Sequence, residues 1–195
     1  MKDYNIDKIL RPAFKMFLTY NYESVSTSRL EKEAGMSRGA LYYKHKSKEE
    51  LFRAVIDRYI LDFLSAYSEP ENMPLKDFID LFLEQLAARI AILRNLGVEN
   101  IQRGFYNLLY EALKFYPEFC EKMSLFFENN LKRWTIVVQH ALDNGEISSS
   151  LEAKEIAQQF CFLYTGMGFQ QSMAAGLEAD QLQKAFHNFY NMLKK

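Results

Sequence analysis

Cationic and hydroxyl-bearing side chains are concentrated in one short stretch of the sequence, MSRGALYYKHKSK at residues 36–48. Arginine and lysine bind phosphate oxygens, and an arginine can also pair with the edge of a guanine, while tyrosine hydroxyls add neutral donors. The same lysines could instead form a solvated helix face, and the tyrosines could be surface packing. The elements that present this stretch decide between these interpretations.

Two short helices with a glycine between them are predicted around this stretch. Ser26 is suited to cap a helix that runs to Ala34, and Gly35 ends that helix because glycine adopts the left-handed conformation without strain. Ser37 then caps a second short helix that runs to about Tyr43. This arrangement is the helix-turn-helix of DNA-binding proteins, in which the second helix enters the major groove.

The apolar residues of these two helices indicate which side chains face outward. Leu30, Ala34, Met36 and Leu41 can form a small core, which leaves Arg38, Gly39, Tyr42 and Lys44 exposed. A helix-turn-helix pattern alone is a weak signal, since many helical proteins contain one by chance. The glycine turn, the caps, the tyrosine pair and the basic residues together favour DNA binding.

The rest of the chain has helical periodicity, so the predicted fold class is all-α, with about nine helices. Pro12 should lie near the first turn of helix 1 or else kink it. Ser47 and Glu50 form a capping box that starts helix 4. Further helices are predicted at about 75–96, 100–116, 117–143, 151–175 and 178–193, with a break at 70–74.

Composition restricts the class of protein. Residues 1–50 carry a net charge of +3 and residues 51–195 a net charge of −4, which suits a chain whose head alone meets a polyanion. No apolar stretch is long enough to span a membrane, and no signal sequence is evident, so we expect a cytoplasmic protein. Cys120 and Cys161 stand outside any metal-binding spacing, and neither a metal nor a cofactor is expected.

The N-terminal quarter resembles a known family. The segments Ala-Gly-Met-Ser at 34–37, Leu-Tyr-Tyr at 41–43 and Lys-Ser-Lys-Glu-Glu-Leu at 46–51 resemble the DNA-binding domain of TetR-family regulators. Ile9, Leu10, Ala13, Phe17 and Leu30 extend the resemblance upstream. It implies a DNA-binding domain at 1–47 and a ligand-binding and dimerisation domain at 48–195.

The resemblance also implies roles for individual residues. Arg38 would face base edges, Gly39 would permit close approach, and Lys48 would bind a phosphate. Whether His45 packs inside or donates to a phosphate stays open, with the second slightly favoured. The complete predicted DNA-binding set is Ser26, Thr27, Ser37, Arg38, Gly39, Tyr42, Tyr43, Lys44, His45 and Lys48.

The predicted body is rich in aromatic residues, as the 16 phenylalanines and 12 tyrosines of the chain suggest. These rings can form an ordinary core or line a pocket for a small hydrophobic or aromatic effector. The residues predicted to line it are Phe63, Phe82, Leu86, Tyr106, Tyr110, Phe126, Phe127, Trp134, Phe162 and Met167. For any single member of this set, a core role is the simpler interpretation.

The last two helices are predicted to form a homodimer, through a four-helix bundle. The interface residues predicted from helical spacing are Phe160, Tyr164, Gly168, Gln171, Leu182, Phe186, Phe189 and Leu193. A dimer would place two recognition helices on a palindromic operator, since one short helix reads too few base pairs.

The predicted function is therefore a ligand-responsive, sequence-specific transcriptional regulator, a repressor by family resemblance, and not an enzyme. One alternative is an architectural DNA-binding protein of the same fold without an effector. A less favoured alternative is an all-α enzyme, because His140 and His187 stand far apart without a nucleophile or metal motif. Loss of DNA binding in Arg38→Ala or Tyr42→Ala would separate these classes.

Overall fold

The fold was obtained as a computed structural model, which describes residues 4–41, 45–62, 73–98, 100–174 and 178–195; the side chains of 4–6 and 40 lie outside this description. Over these residues the chain forms nine helices and no strand beyond one isolated bridge. The all-α prediction is confirmed. The helices are α1 Tyr4–Thr19, α2 Thr27–Ala34, α3 Arg38–Leu41, α4 Lys48–Ile56 continued by π-helical Asp57–Leu61, α5 Leu75–Arg94, α6 Ile101–Phe115, α7 Phe119–Asp143, α8 Ala153–Ser172 and α9 Ala179–Leu193.

Helix α1 contains Pro12 in its interior rather than in its first turn. The alternative that placed Pro12 near the helix start is therefore wrong. A proline there removes one backbone hydrogen bond, and the apolar face of the helix offsets that loss. Ile9, Leu10, Ala13 and Phe17 on this face are all buried.

The helix-turn-helix is built from the caps that the sequence predicts. Ser26 accepts a hydrogen bond from the Arg29 amide at 3.3 Å, and Gly35 ends α2 with φ at +61°. Leu30 and Leu41 are buried, which fixes α3 against α2. Ala34 and Met36, the other predicted members of this small core, are half-buried.

Helix α4 starts at the predicted cap, with one difference in the hydrogen bonds. The Ser47 hydroxyl accepts from the Glu50 amide at 3.1 Å, as in a capping box. The Glu50 carboxylate accepts from the Lys46 amide at 2.7 Å, one residue before the cap. Both groups satisfy amides that the helix itself leaves without partners.

The chain divides into two compact units. The first comprises Met1–Ala66 and Leu96–Met123, and the second Tyr67–Asn95 and Ser124–Lys195. In the first unit α1 packs against α4, with the rings of Phe17 and Phe52 in an edge contact at 5.0 Å. Packing therefore does not divide at residues 47 and 48. That boundary is a functional prediction and stays one.

A close approach between α6 and α1 is made possible by Gly104. A Cβ atom at this position would lie 2.6 Å from the Leu18 carbonyl oxygen, well inside van der Waals contact. Only glycine lets the two backbones come this near. Helix α6 thus packs directly on the end of the first helix.

The second unit is organised around Trp134. Its ring centroid lies 4.7 Å from that of Phe78 and 5.0 Å from that of Phe160. Glu146 completes the unit, because its carboxylate accepts from the Leu75 and Lys76 amides at 2.9 and 3.0 Å and so caps α5. These contacts join α5, α7, α8 and the loop that follows α7.

Candidate nucleic-acid interface

The exposed part of the helix-turn-helix is the start of α3. Ser37, Arg38 and Gly39 are exposed, while Leu41 on the same short helix is fully buried. The backbone amide of Leu41 donates to the Ser37 carbonyl at 2.9 Å and closes the first turn. The helix is therefore anchored by one side and presents Arg38 on the other, as predicted.

Among the described residues, no contact or backbone angle requires a glycine at position 39. Its φ angle is not in the left-handed range, and a Cβ atom there would meet no atom within 4 Å. In the interior of a helix, glycine is less favourable than alanine by about 1 kcal/mol. The small size of glycine would instead permit another molecule to come close to α3.

The N-terminus of α2 carries two more predicted residues. Ser26 is exposed and caps the helix, and Thr27 is half-buried at its first position. The N-terminal amides of a helix favour a bound anion such as a phosphate. The placement of Ser26 and Thr27 is compatible with the predicted role, which stays a prediction.

Lys48 is directed towards the protein rather than outward. Its ammonium donates to the Tyr22 carbonyl at 2.9 Å and lies 4.2 Å above the centroid of the Tyr22 ring. Burial lowers the pKa of Lys48, while Glu23 and Glu111 nearby act in the opposite direction. Before it could bind a phosphate, as predicted, at least part of this arrangement would have to change.

The other predicted residues are placed only in part. His45 is half-buried, which leaves both of its predicted roles open. Tyr42, Tyr43 and Lys44 lie outside the described residues.

One exposed cationic contact was missed by the sequence analysis. The guanidinium of Arg29 on α2 lies 4.1 Å from the centroid of the Tyr20 ring, at the end of α1. The sequence signal that could have indicated this contact is the position of Arg29 in the first turn of α2, two residues after Thr27. The pair adds an arginine to the same small domain that presents Arg38.

The residues of the predicted effector-binding set are divided between the two units. Tyr106 and Tyr110 belong to the first unit, whereas Phe82, Leu86 and Trp134 lie in the core of the second. Met167 packs against that core, Phe126 is half-buried, and Phe127 and Phe162 are exposed. Phe63 lies outside the described residues. Several of these rings therefore stabilise the protein, as the simpler interpretation held.

A groove of about 480 Å³ lies between α5 and α9 in the second unit, and its character differs from the predicted pocket. Leu86 is the one member of the predicted effector-binding set that lines it, and the lining mixes leucines and alanines with the charged side chains of Lys76, Asp80, Glu84 and Asp180. Asp80 accepts from the Lys76 ammonium and contacts the His187 ring, both at 2.7 Å. The hydrogen bond from Lys76 is the main cause that lowers the pKa of Asp80.

The predicted dimer residues are largely inside the single chain. Phe160, Leu182 and Phe186 are fully buried, and Gly168 and Leu193 are buried as well. Tyr164, Gln171 and Phe189 are half-buried. Phe160, Leu182, Phe186 and Leu193 pack in the core around Trp134, so the structure does not support their assignment to an interface with a partner. The assignment of the other residues stays a prediction.

A different face of α8 is exposed and apolar. Phe162 is 62% exposed, Phe169 43% and Met173 64%, and Gly166 lies between them with open space where a Cβ would stand. These residues, called here the α8 stripe, follow helical spacing along one side of the helix. Contiguous apolar patches on a protein surface are a feature of interaction sites.

Membrane-spanning and metal-binding features are both absent from the described residues. No helix there is long and apolar enough to cross a bilayer. Within the same residues, no group of three or more histidine, cysteine or carboxylate side chains could hold a metal ion.

Comparison with known sequences identifies the N-terminal segment. Residues 9–55 match the model for bacterial regulatory proteins of the TetR family. A 66-residue segment is 38% identical to the HTH-type transcriptional repressor ComR of Escherichia coli, covering 34% of this chain and 31% of that one. Over 191 residues the chain is 22% identical to the HTH-type transcriptional regulator SrpR of Pseudomonas putida, covering 96% and 84%.

Solved structures show the same fold over the whole chain. A TetR transcription regulator from Haloarcula marismortui superimposes with a TM-score of 0.76 at 14% identity, covering 99% of this chain and 100% of that one. A regulator from Saccharomonospora viridis in complex with choline gives 0.69 at 14% identity, with both chains fully covered. The resemblance predicted from residues 9–51 is confirmed.

Proposed function

We propose that this chain is a regulator of the TetR kind, which residues 9–55 match, and that it binds a palindromic operator as a homodimer in the cytoplasm. We further propose that it represses transcription and that a small effector changes its affinity for the operator. Relatives named as repressors or regulators support this direction. None of them is named as an enzyme.

The observation that carries the proposal is the surface of α3. Arg38 and Gly39 are exposed there, and within the part of the chain that the structure describes neither backbone nor packing requires the glycine. A helix that enters the major groove needs a long hydrogen-bonding side chain to reach the bases and a small residue beside it that permits close approach. Arg38 would read a base edge, and Gly39 would let the helix approach the groove.

The remaining DNA contacts are proposed by position. Ser26 and Thr27 would direct the N-terminus of α2 at a phosphate, and Tyr42, Tyr43 and Lys44 would extend the surface beyond α3. His45 would add a donor if it turns outward. Lys48 would contribute its charge near the backbone while it stays hydrogen-bonded to Tyr22.

For dimerisation we propose the α8 stripe in place of the residues predicted from the sequence. Phe162, Phe169 and Met173 would pack against the same residues of a second chain, with Gly166 permitting close approach. An interface related by two-fold symmetry uses the same patch on both subunits. Phe162 thereby moves from the predicted effector set to the dimer face.

The dimer proposal is tested by a charge placed in the α8 stripe. Phe169→Glu should shift the protein from dimer to monomer in sedimentation velocity, because a carboxylate cannot be buried unpaired at low cost. Gln170→Glu is the matched control, since it adds the same charge at an exposed neighbouring position on the same helix. A Phe169→Glu protein that stays dimeric at micromolar concentration would refute this interface.

The effector is proposed by class. We propose a small, largely apolar molecule because the second unit is rich in aromatic residues, and the solved structure with bound choline adds a cation to the candidates. An effector can shift DNA affinity only if it binds the two states of the protein unequally. Choline and an uncharged aromatic compound should therefore be compared for their ability to release a bound operator.

The central experiment is selection of DNA from a random pool by the purified protein. A two-fold symmetric sequence should be enriched, and the logarithm of its affinity should fall linearly with the logarithm of salt concentration. Arg38→Ala should abolish preference for that sequence. If the wild-type protein enriches no sequence and binds no DNA at low salt, the regulator proposal fails.

A further inference from the structure

The loop between α1 and α2 is held by two helices of the first unit, α4 and α6. The backbone amide of Tyr22 in this loop donates a hydrogen bond to the carboxylate of Glu111 on α6. On the other side of the same residue, the Tyr22 carbonyl accepts from the ammonium of Lys48 on α4 at 2.9 Å. Both backbone groups of a single loop residue are thus bound by charged side chains.

The ring of Tyr22 is held by the same two helices. It stacks on Phe115 of α6 with centroids 4.2 Å apart, and Phe52 of α4 meets it edge-on at 4.9 Å. The Lys48 ammonium lies above the ring. We call the set of Tyr22, Lys48 and Glu111 the Tyr22 clamp.

The position of Tyr22 determines where α2 begins. The amide of Val25 donates to the Tyr22 carbonyl at 3.3 Å, and the Val25 side chain is fully buried. Ser26, the cap of α2, follows directly, and α2 fixes α3 through the buried Leu30 and Leu41. A displacement of Tyr22 would therefore be passed to the recognition surface through short, packed connections.

Helix α6 contacts the DNA-binding elements at a second point. At Gly104 its backbone packs against the Leu18 carbonyl at the end of α1, close enough to exclude any larger residue. Between them, Gly104 and Glu111 fix α6 to both ends of the segment from 18 to 22. Helix α6 is thus joined to the DNA-binding elements as directly as α4 is.

We propose that Glu111 is a positioning residue for operator recognition, which fixes the angle of α2 and α3 through the Tyr22 clamp. The inference rests on the proposed function as an operator-binding regulator. In this proposal a movement of α6 is transmitted to α2 and α3 through Glu111, without passing along α4. Glu111 itself contacts no DNA in this proposal.

The expected consequence is a loss of specific binding with non-specific binding retained. Non-specific affinity depends on phosphate charge and tolerates small errors of angle, whereas base readout depends on the placement of Arg38. A hydrogen bond to a charged acceptor is stronger than a neutral one. Its loss should weaken operator binding about tenfold, and an amide acceptor in its place should weaken it less.

The test compares Glu111→Gln and Glu111→Ala with the wild-type protein, all as full chains. The dissociation constant is measured for the selected operator and for a scrambled duplex of the same length, at several salt concentrations. Glu121→Gln is the control, because Glu121 is an exposed carboxylate of the same unit. Circular dichroism at the assay temperature confirms that every variant is folded.

Specific affinity should decrease from the wild type to Glu111→Gln to Glu111→Ala, with non-specific affinity and Glu121→Gln unchanged. Parallel loss of both affinities would indicate a merely structural role and overturn the proposal. An unchanged operator affinity in Glu111→Ala would overturn it as well, and leave the proposed function standing. A wild-type protein that selects no operator would overturn the proposed function and this inference together.

Discussion

The two compact units of the chain place their aromatic rings in opposite surroundings. In the first unit, Tyr22 lies among Phe17, Phe52 and Phe115, and charged groups from Lys48 and Glu111 bind the same residue. In the second unit, Trp134 is surrounded by the rings of Phe78, Phe82, Phe160 and Phe186. The cluster around Tyr22 combines ring packing with hydrogen bonds to charged side chains, whereas the cluster around Trp134 consists of ring packing.

This difference teaches that a high aromatic content has more than one meaning in one chain. A ring held by other rings contributes mainly buried area and ring contacts to stability. Where charged side chains also bind the backbone of the same residue, as at Tyr22, the contacts fix the position of the backbone as well. Substitutions should therefore affect stability most in the second unit and DNA recognition most in the first.

Removal of the ring at the centre of the second unit should have the largest effect. Trp134→Ala should lower the free energy of unfolding by about 3–5 kcal/mol, since it leaves a cavity among four phenylalanines. Phe127→Ala on the same helix is the control, because Phe127 is exposed and its loss should cost little. Urea unfolding measures both. Equal effects of the two substitutions would contradict a core centred on Trp134.

Substitutions at two glycines of the first unit should distinguish an effect on packing from an effect on DNA recognition. Gly104→Ala should lower the free energy of unfolding by about 1–3 kcal/mol, because its Cβ would overlap the Leu18 carbonyl and force α6 away from α1. Thermal unfolding measures the loss, with Gly39→Ala as the matched glycine substitution. If Gly104→Ala is as stable as the wild type, the close contact between α6 and α1 is not as described.

The sequence predicts the first unit's local structure well because its signals are local. Ser26, Gly35 and Ser47 act on amides or carbonyls within a few residues, so their neighbours in sequence suffice to assign the caps. The contacts of the Tyr22 clamp are different. Tyr22 and Glu111 are 89 residues apart, and no short pattern marks either of them. Their association follows only from the packing of α6 beside α1.

The two faces of α8 show why helical spacing alone does not assign the dimer residues. The predicted row containing Phe160 and Tyr164 and the exposed row containing Phe162 and Gly166 are offset by two residues, roughly 200° around a helix. Both rows have the same helical period and both contain aromatic residues. Periodicity identifies an apolar row, but only tertiary packing decides which of two rows faces the core.

Gly39 should show the reverse of Gly104. Gly39→Ala should leave thermal stability unchanged or raise it, because alanine is the better helix former and its Cβ would meet no atom of the described residues within 4 Å. Operator affinity should fall about tenfold if the added methyl group holds α3 away from the groove. Fluorescence anisotropy with the selected operator measures this. A variant that binds as well as the wild type would remove Gly39 from the recognition surface.

The smallest expected effect concerns a ring of the first unit that combines packing with charge. Tyr59 stacks on Phe14 at 4.5 Å, and its hydroxyl faces Asp7 at 3.5 Å. Burial, followed by the charge of Asp7, raises the pKa of Tyr59 to about 12, against the partial opposition of Arg58 and Arg11.

Because the pKa of Tyr59 is higher in the folded state than its ordinary 10.0, the folded protein holds this proton more tightly than the unfolded chain. Its contribution to stability is complete below pH 10 and is lost as the pH rises from there towards 12. Tyr59→Phe, which cannot ionise, should therefore lose less stability than the wild type between these pH values. Urea unfolding at pH 9, 10 and 11 would show it as a shallower decline. Parallel declines would mean that Asp7 and burial do not hold this hydroxyl protonated, and that the ring acts by packing alone, as the rings around Trp134 do.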